Sequence, residues 1–270
     1  MSGAAPLGLY SISVRGLDVP ELLAWAAGAG IPFIHLRGGP RGYDLGAREE
    51  ATLARWHAVS RSTVPITGVT ADTDLVDLIS GDPAVRCPAQ EDVRRLSDAA
   101  RILGARWVRL LARRPLTAAT ADGDALGGLG TGVPLLVELH DPGWFTAQAH
   151  RALLRLLDEA QPRLRLLADS AQLAHALTSD ERNEQVGERL EQLWPWADVL
   201  HLSDAGPGLA GPGHTVVADA AVRRIAGGQR IEAAVEWTGA DRTPAAALAV
   251  YRRHSAWWTA RHSAIAEAAS

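Results

Sequence analysis

Eight short, mostly apolar runs alternate with stretches of helical periodicity, and this alternation constrains the fold more than any other feature of the chain. The runs lie at 8–14, 32–37, 64–70, 105–112, 133–140, 164–170, 197–203 and 230–237. Apolar runs of this length are typical of strands that are buried on both faces of a parallel sheet. The alternation therefore predicts an α/β protein, either a β/α barrel or a doubly wound sheet.

Two observations favour the barrel. No GxGxxG motif follows the first run, although a dinucleotide-binding doubly wound sheet would carry one there. The length of 270 residues suits one barrel, which typically needs about 250. Because no linker or low-complexity segment interrupts the chain, we expect a single domain over 1–270.

Helical spacing of apolar residues fills most of the intervals between the runs. The expected helices are 21–29, 47–60, 91–103, 145–160, 183–194, 216–226 and 243–265. Asp18 is the expected cap of the first helix. Residues 71–88 are less regular, and 113–132, rich in Ala, Gly, Thr and Asp, are a candidate active-site loop.

Composition excludes several classes of protein. Lysine is absent, so neither a lysine Schiff base nor a P-loop lysine is available. The lone cysteine, Cys87, rules out an intrachain disulfide and fits a reducing compartment. Neither a signal-peptide pattern nor an apolar stretch of about 18 residues occurs, so we expect a cytoplasmic protein without a membrane span. The net charge of -4 argues against a nucleic-acid partner.

The fifth to eighth runs each end near a side chain that can bind a metal. Glu138, Asp169, His201 and Glu236 are separated by 31, 32 and 35 residues, about one strand–helix unit each time. Functional groups of a β/α barrel project from these strand ends. A strand-end carboxylate can also cap a helix or pair with an arginine, but recurrence in four successive units favours one shared site. Three carboxylates and an imidazole suit Mn²⁺, Mg²⁺ or Co²⁺, and Zn²⁺ is compatible.

Other polar residues are candidates for binding a substrate at the barrel mouth. His35 and Arg37 alternate onto one strand face, where they can bind an anionic group or pair with a barrel acid. Arg109 lies on the fourth strand. His140 follows Glu138 by two residues and is placed to contact substrate or to support that glutamate.

Several segments resemble, in order, those of one enzyme superfamily. SISVRGLDVPELLAWAAGAGIPFIHLR resembles its first strand, first helix and second strand, and RRLSDAARILGARWVRL its fourth unit. VELHD, LADS, LHLSD and VEW match its four ligand strands. The chain thus resembles the xylose-isomerase-like TIM barrels over nearly its whole length. That superfamily includes sugar isomerases and epimerases, inosose isomerases and dehydratases, hydroxypyruvate isomerase and apurinic-site endonucleases. The resemblance implies a single-domain (β/α)8 TIM barrel.

The resemblance also implies roles for the strand-end residues. Asp169 and His201 would be ligands of one divalent metal ion, with Mn²⁺ favoured. Glu138 and Glu236 would be ligands that also move protons beside the substrate carbonyl. Such a scheme is chemically sound, because a metal stabilises the enediolate and two opposed carboxylates can shuttle the proton. His214, in GLAGPGHT, lies in a segment similar to the superfamily's "pG.G" loop and is a further substrate-binding candidate.

The sixth strand departs from the pattern. Many relatives carry a histidine three residues after the aspartate, whereas this chain has Gln172, which can bind a hydroxyl but cannot carry a proton. The leading interpretation is an isomerase or epimerase of a small polyhydroxy carbonyl compound. A dehydratase at the same site is the alternative, and a non-catalytic ligand-binding barrel the second. An apurinic-site endonuclease would need more histidine ligands and a basic groove. Adjacent Trp257 and Trp258 cannot both be buried on one helix face, so one ring is a candidate contact in a homo-oligomer, and a core position on another face of the helix is the equal alternative.

Overall fold

Eight parallel strands close into one barrel in the order of the chain. The computed structural model describes residues 4–116, 126, 129–179 and 183–268, with the side chains of 179, 183 and 184 left aside. The strands are β1 Leu7–Tyr10, β2 Ile34–Arg37, β3 Ile66–Asp74, β4 Val108–Ala112, β5 Leu135–Leu139, β6 Leu164–Asp169, β7 Ala197–Asp204 and β8 Glu232–Trp237. This closed barrel confirms the predicted (β/α)8 fold and rejects the doubly wound sheet.

Nine α-helices lie within the described residues and surround the barrel. They are α1 Val19–Gly28, α2 Glu50–Ser62, α3 Leu75–Leu78, α4 Pro83–Leu103, α5 Ala147–Glu159, α6 Ser170–Ser179, α7 Asn183–Leu193, α8 Pro212–Ala226 and α9 Pro244–Ala268. Most of the candidate loop at 113–132 lies outside the described residues. None of the described helices combines the length and apolar character that a membrane span requires.

Local capping explains where several helices begin. Asp18 accepts from the Glu21 N–H and the Glu21 carboxylate accepts in return, so the expected cap of α1 is a reciprocal capping box. Helix α4 begins earlier than expected, because Asp82 caps it and Pro83 suits its first turn. Cys87 therefore lies on a helix, with its side chain exposed. Helix α6 was not expected at all, because it follows β6 without a loop.

The apolar interior has two parts. The larger part lies between the strands and the helices, and the smaller part fills the lower lumen. We call the smaller part the lumen plug; it consists of Trp107, Leu136, Leu167 and Val199. Gly68 leaves room for the Trp107 ring, because a Cβ at this position would overlap the indole. Since side chains alternate along a strand, residues two positions beyond the plug also face the lumen, nearer the C-terminal mouth.

The last helix closes against the first strand. Tyr251 donates its hydroxyl to the Leu7 carbonyl at 2.7 Å, and the Trp258 indole donates to the Ala5 carbonyl at 3.1 Å. The Trp258 ring is buried by these contacts, whereas Trp257 is half-buried. A role for Trp257 in a homo-oligomer remains a prediction.

Candidate active site

Three of the four strand-end residues meet in one tight group at the mouth of the barrel. Asp169, His201 and Glu236 each place a ligand atom within 4.8 Å of the others. Asp169 and His201 each follow a lumen-plug residue of their own strand by two positions, which turns their side chains into the barrel. The first two are buried and Glu236 is partly exposed, so the group lies at the floor of an accessible site.

Asp169 is fixed by hydrogen bonds at the junction of β6 and α6. Its Oδ1 accepts from the backbone N–H groups of Ala171 and Gln172, both at 2.9 Å, and its Oδ2 accepts from the Ser203 hydroxyl. The same carboxylate therefore caps α6 and faces the lumen. Burial raises its pKa to about 7, and the nearby charges of Glu236 and Glu138 add to this effect.

Glu236 completes the group from β8. Its Oε2 lies 3.0 Å from Nδ1 of His201. Burial and the charge of Glu138 raise the pKa of Glu236 to about 7. Burial lowers the pKa of His201 to about 4, which leaves the ring neutral and able to act as a ligand.

The donor set fits a divalent cation. Two carboxylates repel each other in a buried site, and a bound cation would relieve that repulsion by favouring their ionised forms. Two carboxylate oxygens and one imidazole nitrogen match the ligands that Mn²⁺ and Zn²⁺ accept. Asp169, His201 and Glu236 are the residues that would hold the ion.

Glu138 lies beside this group but is directed towards other partners. Its Oε2 is 2.7 Å from Arg109 Nε, and its Oε1 is 3.0 Å from His140 Nε2. Both contacts are ion pairs without an aligned hydrogen bond. Among the described residues, no hydrogen-bond partner is found for Arg109 Nε, Glu138 Oε2 or His140 Nε2. Burial raises the pKa of Glu138, but Arg109 and then His140 outweigh it and lower the pKa to about 2. The structure does not place Glu138 among the tightly grouped ligand atoms.

Arg109 is a buried partner of Glu138 and not an open anion site. Its Nη1 donates to the Ala71 carbonyl at 2.9 Å, and its Nη2 is 3.5 Å from the Tyr10 hydroxyl. Burial lowers the pKa of Arg109, but Glu138 outweighs this effect and raises it. The guanidinium thus faces a carboxylate and a carbonyl, and direct substrate binding by Arg109 stays a prediction.

His35 also differs from the expected substrate-binding residue. Its side chain is 0% exposed, its Nδ1 lies 2.9 Å from His201 Nε2, and its Nε2 lies 2.9 Å from Glu232 Oε1. Burial lowers its pKa to about 4. Of the two roles open to His35, the structure shows pairing with a barrel acid. Arg37 is half-buried at the end of β2, where its backbone N–H donates to Ser11 Oγ.

The other substrate-binding candidates lie around the mouth. His140 is half-buried, and its contact with the Glu138 carboxylate outweighs the effect of burial and raises its pKa. Gln172 is half-buried in the first turn of α6, close to Asp169. His214 lies in the first turn of α8, not on a loop, and its Nδ1 is 3.1 Å from Ser170 Oγ. Burial lowers the pKa of His214.

Glu232 is the residue near the site that the sequence interpretation missed. Burial raises its pKa, but His35, Thr67 and Arg106 outweigh this effect and lower it, so the carboxylate is ionised. A signal for it was present, because Glu232 and Glu236 are four residues apart on one strand and therefore share a face.

Solved structures of known proteins share this architecture. An L-ribulose 3-epimerase superposes with a TM-score of 0.69 and 16% identity, over 98% of this chain and 97% of that chain. The IolI protein with a bound zinc atom gives a TM-score of 0.65 and 14% identity, over 96% and 99%. The chain shares the (β/α)8 barrel fold of these two proteins. A probable 3-DHS dehydratase from Bacillus anthracis, involved in petrobactin synthesis, gives a TM-score of 0.62 and 15% identity, over 93% and 99%.

Comparisons of sequence add nothing to this result. No protein-family model matches the chain, and no curated protein matches its sequence. The likeness to these solved structures is therefore one of fold, and the site must be interpreted from its own residues.

Proposed function

We propose that this chain is a divalent-metal-dependent isomerase or epimerase of a small polyhydroxy carbonyl compound, with Mn²⁺ as the favoured ion. The observation that supports it most directly is the group formed by Asp169, His201 and Glu236, whose ligand atoms lie within 4.8 Å of one another. The fold it shares with an L-ribulose 3-epimerase adds support for a sugar-like substrate.

The metal would supply Lewis-acid chemistry at the substrate carbonyl and stabilise the enediolate. Asp169 and His201 serve as ligands, and their positions are set by the α6 cap and by the contact with His35. Glu236 serves as the third ligand and, from its partly exposed position, as one of the two groups that move a proton.

Glu138 is the second proton-moving group in this proposal. Arg109 and His140 hold its two oxygens from different sides, so its carboxylate has a defined orientation next to the ligand group. Glu138 removes the proton beside the carbonyl at one of these oxygens, and Glu236 returns a proton from the opposite side. Arg109 acts through Glu138 and is therefore a positioning residue.

A dehydratase is the second candidate function, and two observations favour it. Gln172 replaces the histidine of many relatives and offers no proton. His140 contacts Glu138 at 3.0 Å and has a raised pKa, so it offers a proton donor for a departing hydroxyl group. Abstraction of the proton by Glu138 is common to both reactions, and loss of water distinguishes them.

Solvent exchange tests the proposal. We would incubate the Mn²⁺-loaded protein in D₂O with a panel of ketoses, aldoses and inososes and follow C–H signals by NMR. Deuterium uptake beside the carbonyl, abolished by Glu236→Gln but retained in the exposed control Glu191→Gln, is the expected result. An unsaturated product with release of water would identify the dehydratase. Mn²⁺ binding without exchange on any compound would leave a ligand-binding barrel and refute both reactions.

A further inference from the structure

A chain of hydrogen-bonded side chains crosses the lumen beneath the candidate metal group. Glu232 Oε1 lies 2.9 Å from His35 Nε2, and His35 Nδ1 lies 2.9 Å from His201 Nε2. The remaining ring nitrogen, His201 Nδ1, faces Glu236 in the ligand group at 3.0 Å. We call Glu232, His35 and His201 the lumen chain.

We propose that the lumen chain fixes the tautomer of His201, so that Nδ1 presents a lone pair to the metal and Nε2 carries the proton. This inference rests on the proposed function, because it assigns a purpose to residues behind the same metal group. Glu232 and His35 are positioning residues that act through His201 and do not contact the substrate.

The direction of the hydrogen bonds follows from Glu232. Thr67 donates its hydroxyl to Glu232 Oε1 at 2.7 Å, and Arg106 pairs with Oε2, so the carboxylate is ionised and can only accept. His35 must therefore carry its proton on Nε2. As a neutral ring, it then presents an acceptor at Nδ1.

The same argument continues to the next ring. An acceptor at His35 Nδ1 requires a donor at His201 Nε2, and a neutral His201 with its proton on Nε2 has a lone pair on Nδ1, which faces Glu236 Oε2 at 3.0 Å. A cation held by these two atoms would accept both lone pairs, so every donor and acceptor of the lumen chain has a partner in the metal-loaded protein. The reverse arrangement would place an unprotonated His35 Nε2 against the Glu232 carboxylate. Two acceptors would then face each other at 2.9 Å in a buried site, which is unfavourable.

Packing holds both rings in place. His35 stacks on His201 with ring centroids 5.2 Å apart and meets Trp107 edge-on at 4.7 Å. Tyr10 stacks on the other ring, with its centroid 4.9 Å from that of His201. The imidazoles therefore cannot rotate freely, and their orientation as well as their tautomer is set below the site.

Two variants and one control test the inference. His35→Phe removes the acceptor for His201, and Glu232→Gln removes the charge that sets the direction of the chain. His150→Phe is the matched control, because His150 is also buried but lies on α5 and contacts Gln192. Loss of an outer partner of a ligating histidine typically weakens metal binding by about 10–100-fold. We expect His35→Phe to weaken Mn²⁺ binding in that range, Glu232→Gln to weaken it less, and the control to leave it unchanged.

Nitrogen NMR of the ¹⁵N-histidine-labelled protein gives a second readout that needs neither metal nor activity. In the metal-free wild type, His35 should carry its proton on Nε2, and Glu232→Gln should populate the other tautomer of His35. An unprotonated Nε2 on His35 in the wild type would overturn the inference. So would unchanged Mn²⁺ affinity in both variants. If the wild type shows the Nε2–H tautomer but binds no Mn²⁺, the proposed function fails and the tautomer assignment stands.

Discussion

Replacing Asp169 by asparagine should change protein stability in opposite directions with and without metal. Asparagine can keep the two backbone hydrogen bonds at Oδ1. In the wild type the Ser203 hydroxyl donates to Oδ2, whereas in the variant the asparagine amide can donate to Ser203 Oγ. What it removes is a negative charge that faces Glu236 and Glu138. We therefore expect Asp169→Asn to stabilise the metal-free protein at pH 8 and to destabilise the protein in Mn²⁺.

The size and pH range follow from the raised pKa of Asp169, about 7 in the folded protein against 3.8 in the unfolded chain. The folded state holds this proton more tightly, so the wild type loses stability relative to the variant as the pH rises from about 4 to about 7. At about 1.4 kcal/mol per pKa unit, and with Glu236 sharing the same repulsion, we expect a difference of ~2 kcal/mol above pH 7. For a chain of this size that is ~4–8 °C in melting temperature.

Thermal denaturation from pH 4.5 to 8.5, in EDTA and in excess Mn²⁺, measures this effect. Mn²⁺ at 100 times its dissociation constant should add ~2.7 kcal/mol to the wild type and much less to the variant. Asp198→Asn is the control, because Asp198 lies at the opposite, N-terminal end of β7, where it pairs with Arg165. A wild type that is more stable than Asp169→Asn in EDTA at pH 8 would refute the crowding of negative charge on which the metal site depends.

Three further variants test other parts of the structure. Arg109→Met should lower the free energy of unfolding, measured by urea denaturation, by about 3–5 kcal/mol, because it leaves the buried Glu138 carboxylate without its partner. A decrease of less than about 1 kcal/mol would show that the ion pair contributes little to stability. Gln172→His should leave Mn²⁺ affinity unchanged and alter the preference among substrates in the exchange assay, and an unchanged preference would remove Gln172 from the substrate site. Gly68→Ala should destabilise the protein by about 1–3 kcal/mol because its Cβ would overlap a tryptophan of the lumen plug. Gly81→Ala, where nothing lies near the added carbon, is its thermal-denaturation control, and equal melting temperatures would contradict the packing argument.

The sequence was most informative about features that a single strand determines, namely its position in the chain and the direction of its side chains. Apolar periodicity located all eight strands, and alternation turns Asp169, His201 and Glu236 into the lumen once the barrel closes. The limits of β1 differ because Ser11 and Ser13 form a turn in which their hydroxyls accept backbone N–H groups of neighbouring strand ends. A serine in a short apolar run does not reveal this role.

Contacts across the barrel could not be read from single strands. Whether Glu138 joins the metal group depends on Arg109. This arginine projects from the adjacent strand β4 and pairs with the Glu138 carboxylate. His35 is on the lumen face as expected, but its depth and its partners His201 and Glu232 depend on how three distant strands close. Such pairings require the register of the whole sheet, which apolar periodicity does not determine.

Metal stoichiometry tests the central claim most directly. We would titrate metal-free protein with Mn²⁺, count bound ions by electron paramagnetic resonance, and repeat the titration with His201→Ala. One ion per chain in the wild type, and none at the same concentrations in the variant, is the result we predict from the convergence of Asp169, His201 and Glu236. A wild type that binds no Mn²⁺, or a variant that binds it equally well, would contradict a metal centre at these three strand ends.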